Sequence, residues 1–368
     1  LHLLKKAGKD FEKYETYYLP LIALATVADV CPLVGENRTL TSLGLELMPS
    51  SEIPALDPLI KGSRKPGENS AVTERDLAFG MAPIINTAGR MGDPFPAAKL
   101  ILAKDVDSAW EYYRKLSYMN NERKKIQART IERLSRRPEV AWSTEKSGVL
   151  AVVDEDCTPG LAGLAAARLA EITSRPTCIL APAEDGKGKI YRGSIRTSSG
   201  ENLLDLLAPV DPFVEKSGGH KCAMGITVRP ENLADFMNAV ERIEWMPSPN
   251  ELILDFPIDS PPGDPAIVTE LESTRPWGEG NPEPAFQLGP AQIKGIRTVG
   301  KNLDHVQISL KDGNGAFIKG IGFSLAKFLK GEDMSGKSVE TAGHFIINSW
   351  QGRTSVEIRI ADFEFKDE

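Results

Sequence analysis

A strand–helix–strand pattern near the middle of the chain places the strongest constraint on its fold. The apolar run from Gly148 to Val153 is typical of a buried strand, and Thr177 to Ala181 is typical of a second one. Between them, the small-residue segment from Leu161 to Ile172 is typical of a helix. A helical connection of this kind brings the chain back beside the first strand, so the two strands pair in parallel. The sequence therefore predicts an α/β domain with a parallel sheet.

A long helical pattern precedes this domain. From Pro96 to Arg137 apolar residues recur at helical spacing without an interior proline or glycine, and Pro138 is expected to end the helix. Helices of this length often connect two domains. The half from Glu122 to Arg137 carries an excess of five positive charges. Before the long helix, the segment from Glu52 to Glu74 is rich in proline, glycine, serine and charge, which predicts a surface excursion.

The last third of the chain has short runs of alternating polarity separated by turns rich in glycine and aspartate. This pattern predicts a small β-barrel. The predicted strands are Leu252–Phe256, Val306–Leu310, Phe317–Ile321 and Val356–Ile360. The fold class is therefore α/β plus a β-barrel.

Charge and cysteine content exclude several classes of protein. The formal charge is −7, with 44 basic and 51 acidic residues, which argues against a general polyanion binder, although a local basic groove is compatible with that balance. The four cysteines form no CxxC pair, which argues against a zinc ribbon and a disulfide framework and favours a cytoplasmic location. We find no apolar run of membrane length and no signal-peptide pattern, so no membrane association is expected.

Asp29 interrupts the apolar segment from Leu19 to Val34. A dry, unpaired carboxylate is costly, so we expect Asp29 to have a cation, a set of strong donors or a place at an exposed strand end. One interpretation is a helix or turn cap. The other is a ligand for a divalent metal, for which oxygen ligands suit Mg²⁺ or Mn²⁺. One carboxylate does not make a metal site, and the sequence has no other Asp or His cluster with ligand spacing.

Two arginine-containing motifs are candidates for phosphate binding. In the first, an amide at Asn86 is followed by the guanidinium of Arg90, whose planar fork suits phosphate. A surface salt bridge is the alternative. In the second, strand alternation places Ser194 and Arg196 on one face, either as a phosphate clamp or as an exposed polar strand face.

Two further segments are candidates for nucleic-acid contact. The paired glycines Gly218 and Gly219 expose backbone N–H groups to an anion, and His220 adds a donor. A glycine turn with a satisfied histidine is the alternative. Trp277 opens a loop rich in glycine and proline, in which it could stack on a base. The alternative for this loop is an interdomain linker.

Seven segments, taken in order, resemble the RecJ exonucleases of the DHH phosphoesterase superfamily. They are ATVADVCPL (25–33), INTAGRMGD (85–93), LSYMNNERKKIQ (116–127), TPGLAGLAAARLAE (158–171), RGSIRT (192–197), SGGHKCAMG (217–225) and RPWGEGNPEP (275–284). Together they extend across nearly the whole chain. The last segment and the barrel after it distinguish RecJ from shorter DHH relatives that hydrolyse cyclic dinucleotides or very short oligonucleotides.

The resemblance implies the domains and the activity. The domains are the C-terminal part of an α/β DHH domain (1–95), a connecting helix (96–140), an α/β DHHA1 domain (141–247) and an OB-like barrel (248–368). The activity is 5′→3′ exonuclease action on single-stranded DNA in repair and recombination, with Mn²⁺ or Mg²⁺. Asp29 would be a catalytic metal ligand. The phosphate- and DNA-binding residues would be Asn86, Arg90, Ser194, Arg196, Gly218, Gly219 and His220, with Trp277 guiding the strand.

One departure from the family pattern affects the expected activity. The family's aspartate motifs and its DHH triplet, which would supply every metal ligand except Asp29, do not occur in this sequence. We therefore expect the chain alone to bind DNA weakly and not to cleave it. Because the first residue is Leu1, we also expect the chain to begin within a longer protein. A monomer is expected, with single-strand-binding protein as an associate.

Two other functions remain open. One is a non-catalytic scaffold, related to RecJ, that binds single-stranded nucleic acid. The other is a DHH-type phosphodiesterase for small molecules or short oligonucleotides.

Overall fold

The computed structural model describes residues 6, 8, 11–65, 70–141, 148–198, 200–246, 251–301, 303–329, 334–350 and 353–366. The chain forms two compact units. One comprises Leu1–Met48 together with Leu252–Glu368, and the other comprises Pro49–Glu251.

The described part of the first 141 residues is helical. Its helices are α1 (Phe11–Ala28), α2 (Gly35–Leu47), α3 (Leu56–Ser63), α4 (Ala82–Arg90), α5 (Phe95–Ile101), α6 (Val106–Ser135) and α7 (Pro138–Ala141). A π-helical turn precedes α4. The prediction of a surface excursion between Glu52 and Glu74 is wrong for α3, because Leu56 and Leu59 are each 1% exposed.

The single long helix predicted from Pro96 to Arg137 is in fact two helices. Asp105 begins α6 as its N-cap, and its Oδ1 accepts a hydrogen bond of 2.8 Å from the backbone N–H of Ser108. A capping aspartate starts a new helix even where the apolar spacing is continuous. Helix α6 ends at Ser135. Pro138 then opens α7, because a proline at the first helical position has no N–H to lose.

A five-stranded sheet follows in the same unit. Its elements are β1 (Leu150–Val153), α8 (Pro159–Thr173), β2 (Thr177–Asp185), β3 (Gly188–Arg196), α9 (Leu203–Leu206), β4 (Lys216–His220), β5 (Ala223–Val228) and α10 (Leu233–Glu241). The strand order is β1-β2-β3-β5-β4. The predicted parallel pair, β1 with β2, is confirmed.

The prediction of a parallel sheet is wrong beyond that pair. In the order β2, β3, β5 and β4, each strand is antiparallel to its neighbour. The change from parallel to antiparallel pairing occurs at β3. A two-residue hairpin joins β2 to β3, and such a hairpin can join only antiparallel strands. One face of the sheet packs against α8, with Val152, Ile179 and Leu169 in its core. The other face packs against α10, which contributes Phe236 and Val240.

The C-terminal region is a closed five-stranded barrel. Its elements are β6 (Phe256–Ile258), α11 (Pro265–Glu272), β7 (Phe286–Val299), β8 (His305–Asp312), β9 (Phe317–Gly322), β10 (Ser338–Trp350) and β11 (Arg353–Lys366). Pairing of β10 with β7 closes the ring of β7, β8, β9, β11 and β10. Alternate residues fill the interior, among them Leu288, Ile308, Leu310, Ile318, Val339 and Ile358.

Three of the four predicted barrel strands are confirmed, and they correspond to β8, β9 and β11. The prediction for Leu252–Phe256 is wrong, because β6 begins only at Phe256. The sequence pattern did not reveal β7 and β10, which are the long strands that close the barrel. Within the described residues, none of the helices has the length and apolar character needed to cross a membrane.

Candidate phosphate site and nucleic-acid interface

Two glycines at the start of α8 bring this helix against both predicted arginine motifs. At Gly160, an added Cβ would lie 2.1 Å from the backbone oxygen of Arg90. At Gly163, an added Cβ would lie 2.9 Å from Nη2 of Arg196 and 3.5 Å from Oγ of Ser194. At Gly160 a side chain would collide with backbone, whereas at Gly163 it would displace the Arg196 side chain. Arg90 and Arg196, 106 positions apart in the sequence, therefore lie on the same end of one helix.

A third arginine, Arg123 of α6, belongs to the same cluster. Burial lowers the pKa of Arg123 and of Arg196, and in both cases the positive charge of Arg90 lowers it further. Burial also lowers the pKa of Arg90. Arg90 thus repels both of the other cations, and partly buried cations of this kind are costly unless an anion joins them. Among the residues that the structure describes, no carboxylate forms an ion pair with any of the three.

Neutral groups hold two of these guanidinium groups in place. Arg123 donates from Nε and Nη2 to Oδ1 of Asn120, at 3.1 and 2.9 Å, and from Nη1 to Oε1 of Gln127 at 2.9 Å. Thr87 Oγ1 donates to the same Asn120 oxygen at 3.1 Å. Arg196 donates from Nη1 to the backbone oxygen of Ile195 at 2.8 Å. These two arginines are thus positioned without losing their net positive charge.

Sequence reasoning missed Arg123 as a site residue. It grouped Arg123 with the excess positive charge of the helix, whereas the side chain is buried and 8% exposed. A signal was present in the spacing, because Asn120 and Arg123 continue the stripe of the buried residues Tyr113 and Leu116 at intervals of three and four. Polar residues in a buried helical stripe indicate a specific partner.

The predicted alternation along β3 is confirmed, since Ser194 and Arg196 both approach Gly163 from one face of the sheet. In the register of the sheet, Arg196 lies opposite Ala223, and Ala223 lies opposite His220. Residues paired in this way point to the same face. His220 therefore shares a face with Arg196, two strand spacings or about 10 Å away.

The glycine pair does not form the predicted turn. Residues Lys216–His220 are β4, the terminal strand of the sheet, and all five are exposed. Gly219 has a φ of 152°, and an added Cβ there would lie 2.3 Å from the backbone oxygen of Ala223. Glycine at this position lets β4 lie close against β5.

Asn86 is exposed on α4 one helical turn before Arg90.

Asp29 lies in the other compact unit, at an exposed position just after α1. Its backbone N–H donates to the oxygen of Ala25 at 3.0 Å. The carboxylate is thus exposed, but it lies at the end of a helix and not at the end of a strand as one expectation had it. The negative end of the helix dipole does not stabilise a carboxylate at this place and favours a cation nearby.

The loop of Trp277 packs against the segment that follows Asp29. The backbone N–H of Leu33 donates to the oxygen of Glu279 at 2.6 Å, and Arg38 Nη2 donates to the oxygen of Thr274 at 2.7 Å. Sequence reasoning did not connect these two motifs, which are 248 positions apart.

Trp277 itself is partly buried. The guanidinium carbon of Arg275 lies 3.9 Å from the ring centroid, and the indole N–H donates to Thr274 Oγ1 at 2.8 Å. One face of the ring is thus already stacked, so a nucleotide base could stack only on the opposite face.

Comparison with known proteins identifies the domains. The family model described as the DHHA1 domain matches residues 145–245, and the model described as the RecJ OB domain matches residues 254–362. The single-stranded-DNA-specific exonuclease RecJ of Bacillus subtilis is 28% identical over 360 residues, which are 94% of this chain and 43% of that protein. The RecJ of Dickeya dadantii is 30% identical over 355 residues, which are 93% of this chain and 60% of that protein.

A solved structure agrees over the whole chain. The crystal structure of RecJ in complex with Mg²⁺ from Thermus thermophilus superposes with a TM-score of 0.80 at 27% identity. It covers 100% of this chain and 54% of the RecJ chain. The chain belongs to the RecJ family. It spans about half the length of the curated RecJ relatives that it matches.

The described part of this RecJ-family chain does not fit a metal centre. It contains no group of three or more His, Cys, Asp or Glu side chains that could hold a metal ion. Asp29 is a single exposed carboxylate, and a divalent metal bound by protein oxygens needs several ligands.

The RecJ OB domain contributes a polar groove that sequence reasoning did not identify. The groove is lined by Gly295, Ile296, Arg297, Gln307, Ser309 and Lys319. Arg297 is held against Gln307 by hydrogen bonds of 2.8 and 2.5 Å. Nearby on the same barrel, Lys311 lies over the ring of Phe317, which is 65% exposed. Exposed aromatic rings beside cations suit the bases and phosphates of a single strand.

Proposed function

We propose that this chain is the DNA-binding part of a 5′→3′ exonuclease that hydrolyses single-stranded DNA in repair and recombination. The observation that carries the proposal is the cluster of Arg90, Arg123 and Arg196, which holds three positive charges without an acidic partner among the described residues. A phosphate that enters the cluster would remove their mutual repulsion and accept charge-assisted hydrogen bonds. The similarity to RecJ exonucleases supports DNA as the source of that phosphate.

Each residue of the site has a proposed role in binding. Arg196 and Ser194 would hold the terminal phosphate from β3, and Arg90 would close over it from α4. The N-terminus of α8 is next to both arginines and adds positive potential. Further along the sheet face, His220 and the backbone of Gly218 and Gly219 would contact the following phosphates. Asn86 would donate from the turn of α4 before Arg90.

The catalytic part of the proposal rests on metal ions. Solved RecJ relatives are complexes with Mg²⁺ and with Mn²⁺, and we propose the same ions for the complete enzyme. They would activate water for attack on the phosphodiester bond. Asp29 would supply one ligand from this chain, and Trp277 would guide the incoming strand. With a single carboxylate, the chain alone is expected to bind DNA without cleaving it.

Binding of a single-stranded oligonucleotide with a 5′-phosphate tests the phosphate site. Arg196→Gln should weaken binding by about tenfold, since a hydrogen bond to a charged group contributes roughly 1.5–3 kcal/mol. Arg242→Gln is the matched control. Arg242 is exposed and follows α10, which packs on the opposite face of the sheet. Equal affinities of the wild type and Arg196→Gln would contradict the proposed role.

A non-catalytic scaffold that binds single-stranded nucleic acid is the second candidate. It is favoured by the lack of a metal-binding cluster in the described part of the chain. The upstream reading frame distinguishes the two. Aspartate motifs and a DHH triplet upstream of Leu1 would support the enzyme, whereas a native start at Leu1 would support the scaffold.

We further propose that the protein is a cytoplasmic monomer that associates with a single-strand-binding protein. All four cysteines are free thiols, as a reducing compartment maintains them. Sedimentation of the chain with and without that partner tests both parts of this proposal.

A further inference from the structure

We propose that Arg192 and Lys216 form a second contact row for the DNA backbone on the open face of β3, β5 and β4. The row would bind the phosphate two nucleotide steps beyond the end held at Arg196. This inference rests on the proposed function, because it takes single-stranded DNA as the occupant of the adjacent site. It extends the site to two residues with no role in the phosphate cluster.

The register of the sheet places the row. Arg192 pairs with Thr227, and Thr227 pairs with Lys216, without a register shift in either ladder. Arg192 and Thr227 alternate with buried positions of β3 and β5, and Lys216 pairs with Thr227, so all three share a face with Ser194 and Arg196. Successive rows along β3 are two residues or about 7 Å apart. Arg192 lies two rows from Arg196, or about 13 Å along the strand, which is similar to two nucleotide steps of an extended single strand.

The shape of this face suits a polymer backbone. Between the two rows of cations lies the row of Ser194, Gly225 and Gly218. An added Cβ at Gly218 would meet nothing within 4 Å, and one at Gly225 would meet only backbone oxygens at 3.8 and 4.0 Å. The floor between the rows is therefore flat and made of main chain. Helix α8 packs over β2 and β3, so within this unit it leaves the β5 and β4 side of the face uncovered.

Charge distinguishes this row from its surroundings. Arg192 and Lys216 are exposed, and in the described structure neither side chain has an ion-pair partner. The next cation along the sheet, Arg229, does have acidic partners. Arg229 is neutralised by Asp185 at 2.6 Å and by Glu215 at 2.8 Å. Among the described residues, the cations without an acidic partner on this face therefore end at the row of Arg192 and Lys216. This row marks the end of the proposed DNA-binding surface.

The test measures binding of 5′-phosphorylated oligo(dT) to the full 368-residue chain over a series of salt concentrations. Arg192→Gln and Lys216→Gln are each expected to lower the slope of log affinity against log salt by about 0.7, the value for one phosphate contact of a single strand. Both should bind the phosphorylated dinucleotide pdTpdT as the wild type does, because that ligand ends before the second row. Arg242→Gln, an exposed cation on the other side of the sheet, should leave the slope unchanged.

The possible outcomes distinguish the proposed second contact row from the proposed phosphate site. Wild-type slopes for both variants on the long oligonucleotide would overturn the second row, while a weakened Arg196→Gln would keep the phosphate site. No effect of Arg196→Gln on either ligand would overturn the proposed function. A polyglutamate peptide that displaces the oligonucleotide at equal charge concentration would overturn DNA as the specific occupant.

Discussion

The replacement Gly163→Ala separates the function of the phosphate site from the stability of the fold. In the structure an added Cβ at this position lies 2.9 Å from Nη2 of Arg196, and ordinary van der Waals contact begins at 3.4 Å. The guanidinium group must therefore move by at least 0.5 Å. The three atoms nearest to the added Cβ all belong to the side chains of Arg196 and Ser194. The backbone of α8 therefore need not shift.

The two energetic effects have opposite signs. Alanine is favoured over glycine inside a helix by roughly 0.5–1 kcal/mol, which stabilises α8. The steric contact offsets part of this gain, so the free energy of unfolding should stay within about 0.5 kcal/mol of the wild-type value. Displacing Arg196 weakens a charge-assisted hydrogen bond to phosphate by about 1 kcal/mol, which is about fivefold in affinity.

Fluorescence anisotropy with a 5′-phosphorylated oligonucleotide measures the affinity, and urea unfolding measures the stability. The control is Gly160→Ala, where the added Cβ meets the backbone oxygen of Arg90 at 2.1 Å. Backbone cannot rotate away, so this variant should lose both stability and binding. Our reasoning would be refuted if Gly163→Ala lost stability in the same way, or if it bound DNA as tightly as the wild type.

Three further predictions follow from groups around the site. Asp154 is fully buried and accepts hydrogen bonds of 2.5 and 2.7 Å from Arg133, so Asp154→Asn should lower the free energy of unfolding by about 3 kcal/mol in urea titrations. Arg123→Gln should weaken oligonucleotide binding by about threefold and reduce its salt dependence, because the variant removes a charge that lies beside Arg90. Burial raises the pKa of Cys157 to about 11 and of Cys178 to about 12. The unfolded chain therefore releases thiol protons before the folded one does, and stability should fall as the pH rises above about 9, a fall that Cys178→Ala should reduce.

The order of apolar and polar residues predicted the strands in which that order matches the burial of the side chains. The parallel pair β1 and β2 and the barrel strands β8, β9 and β11 all show clear apolar runs or alternation. Strands β7 and β10 were missed because their pattern is interrupted. Gly289 and Pro290 lie inside β7, and the pairing of β10 with β11 shifts register between Ala342 and Gly343. A register shift moves later side chains to the other face, so alternation is lost where the strand continues.

The glycine-rich strand β4 illustrates a second limit. Glycine has a low strand propensity, and the segment from Lys216 to His220 reads as a turn when considered alone. Its pairing with β5 depends on main-chain hydrogen bonds that no side-chain pattern records.

The sequence predicted those site residues whose side-chain type alone indicates phosphate binding. Arg90 and Arg196 were selected because a guanidinium next to a small or hydroxyl residue suits phosphate, and the structure brings these two together. The positive charge in the second half of α6 was less informative. Arg133 and Arg137 bind the buried Asp154, and Lys125 pairs with Glu122. Formal charge along a helix cannot distinguish such paired cations from a free one.

The position of β4 at the end of its sheet has a consequence for association between copies of the protein. A terminal strand can template the growth of a sheet from one molecule to the next, which leads to aggregation. Strand β4 is short, begins with the charged Lys216 and contains two glycines, all of which disfavour such growth. The residues that keep this face flat enough for a nucleic-acid backbone thus also protect the protein from polymerising through its exposed sheet edge.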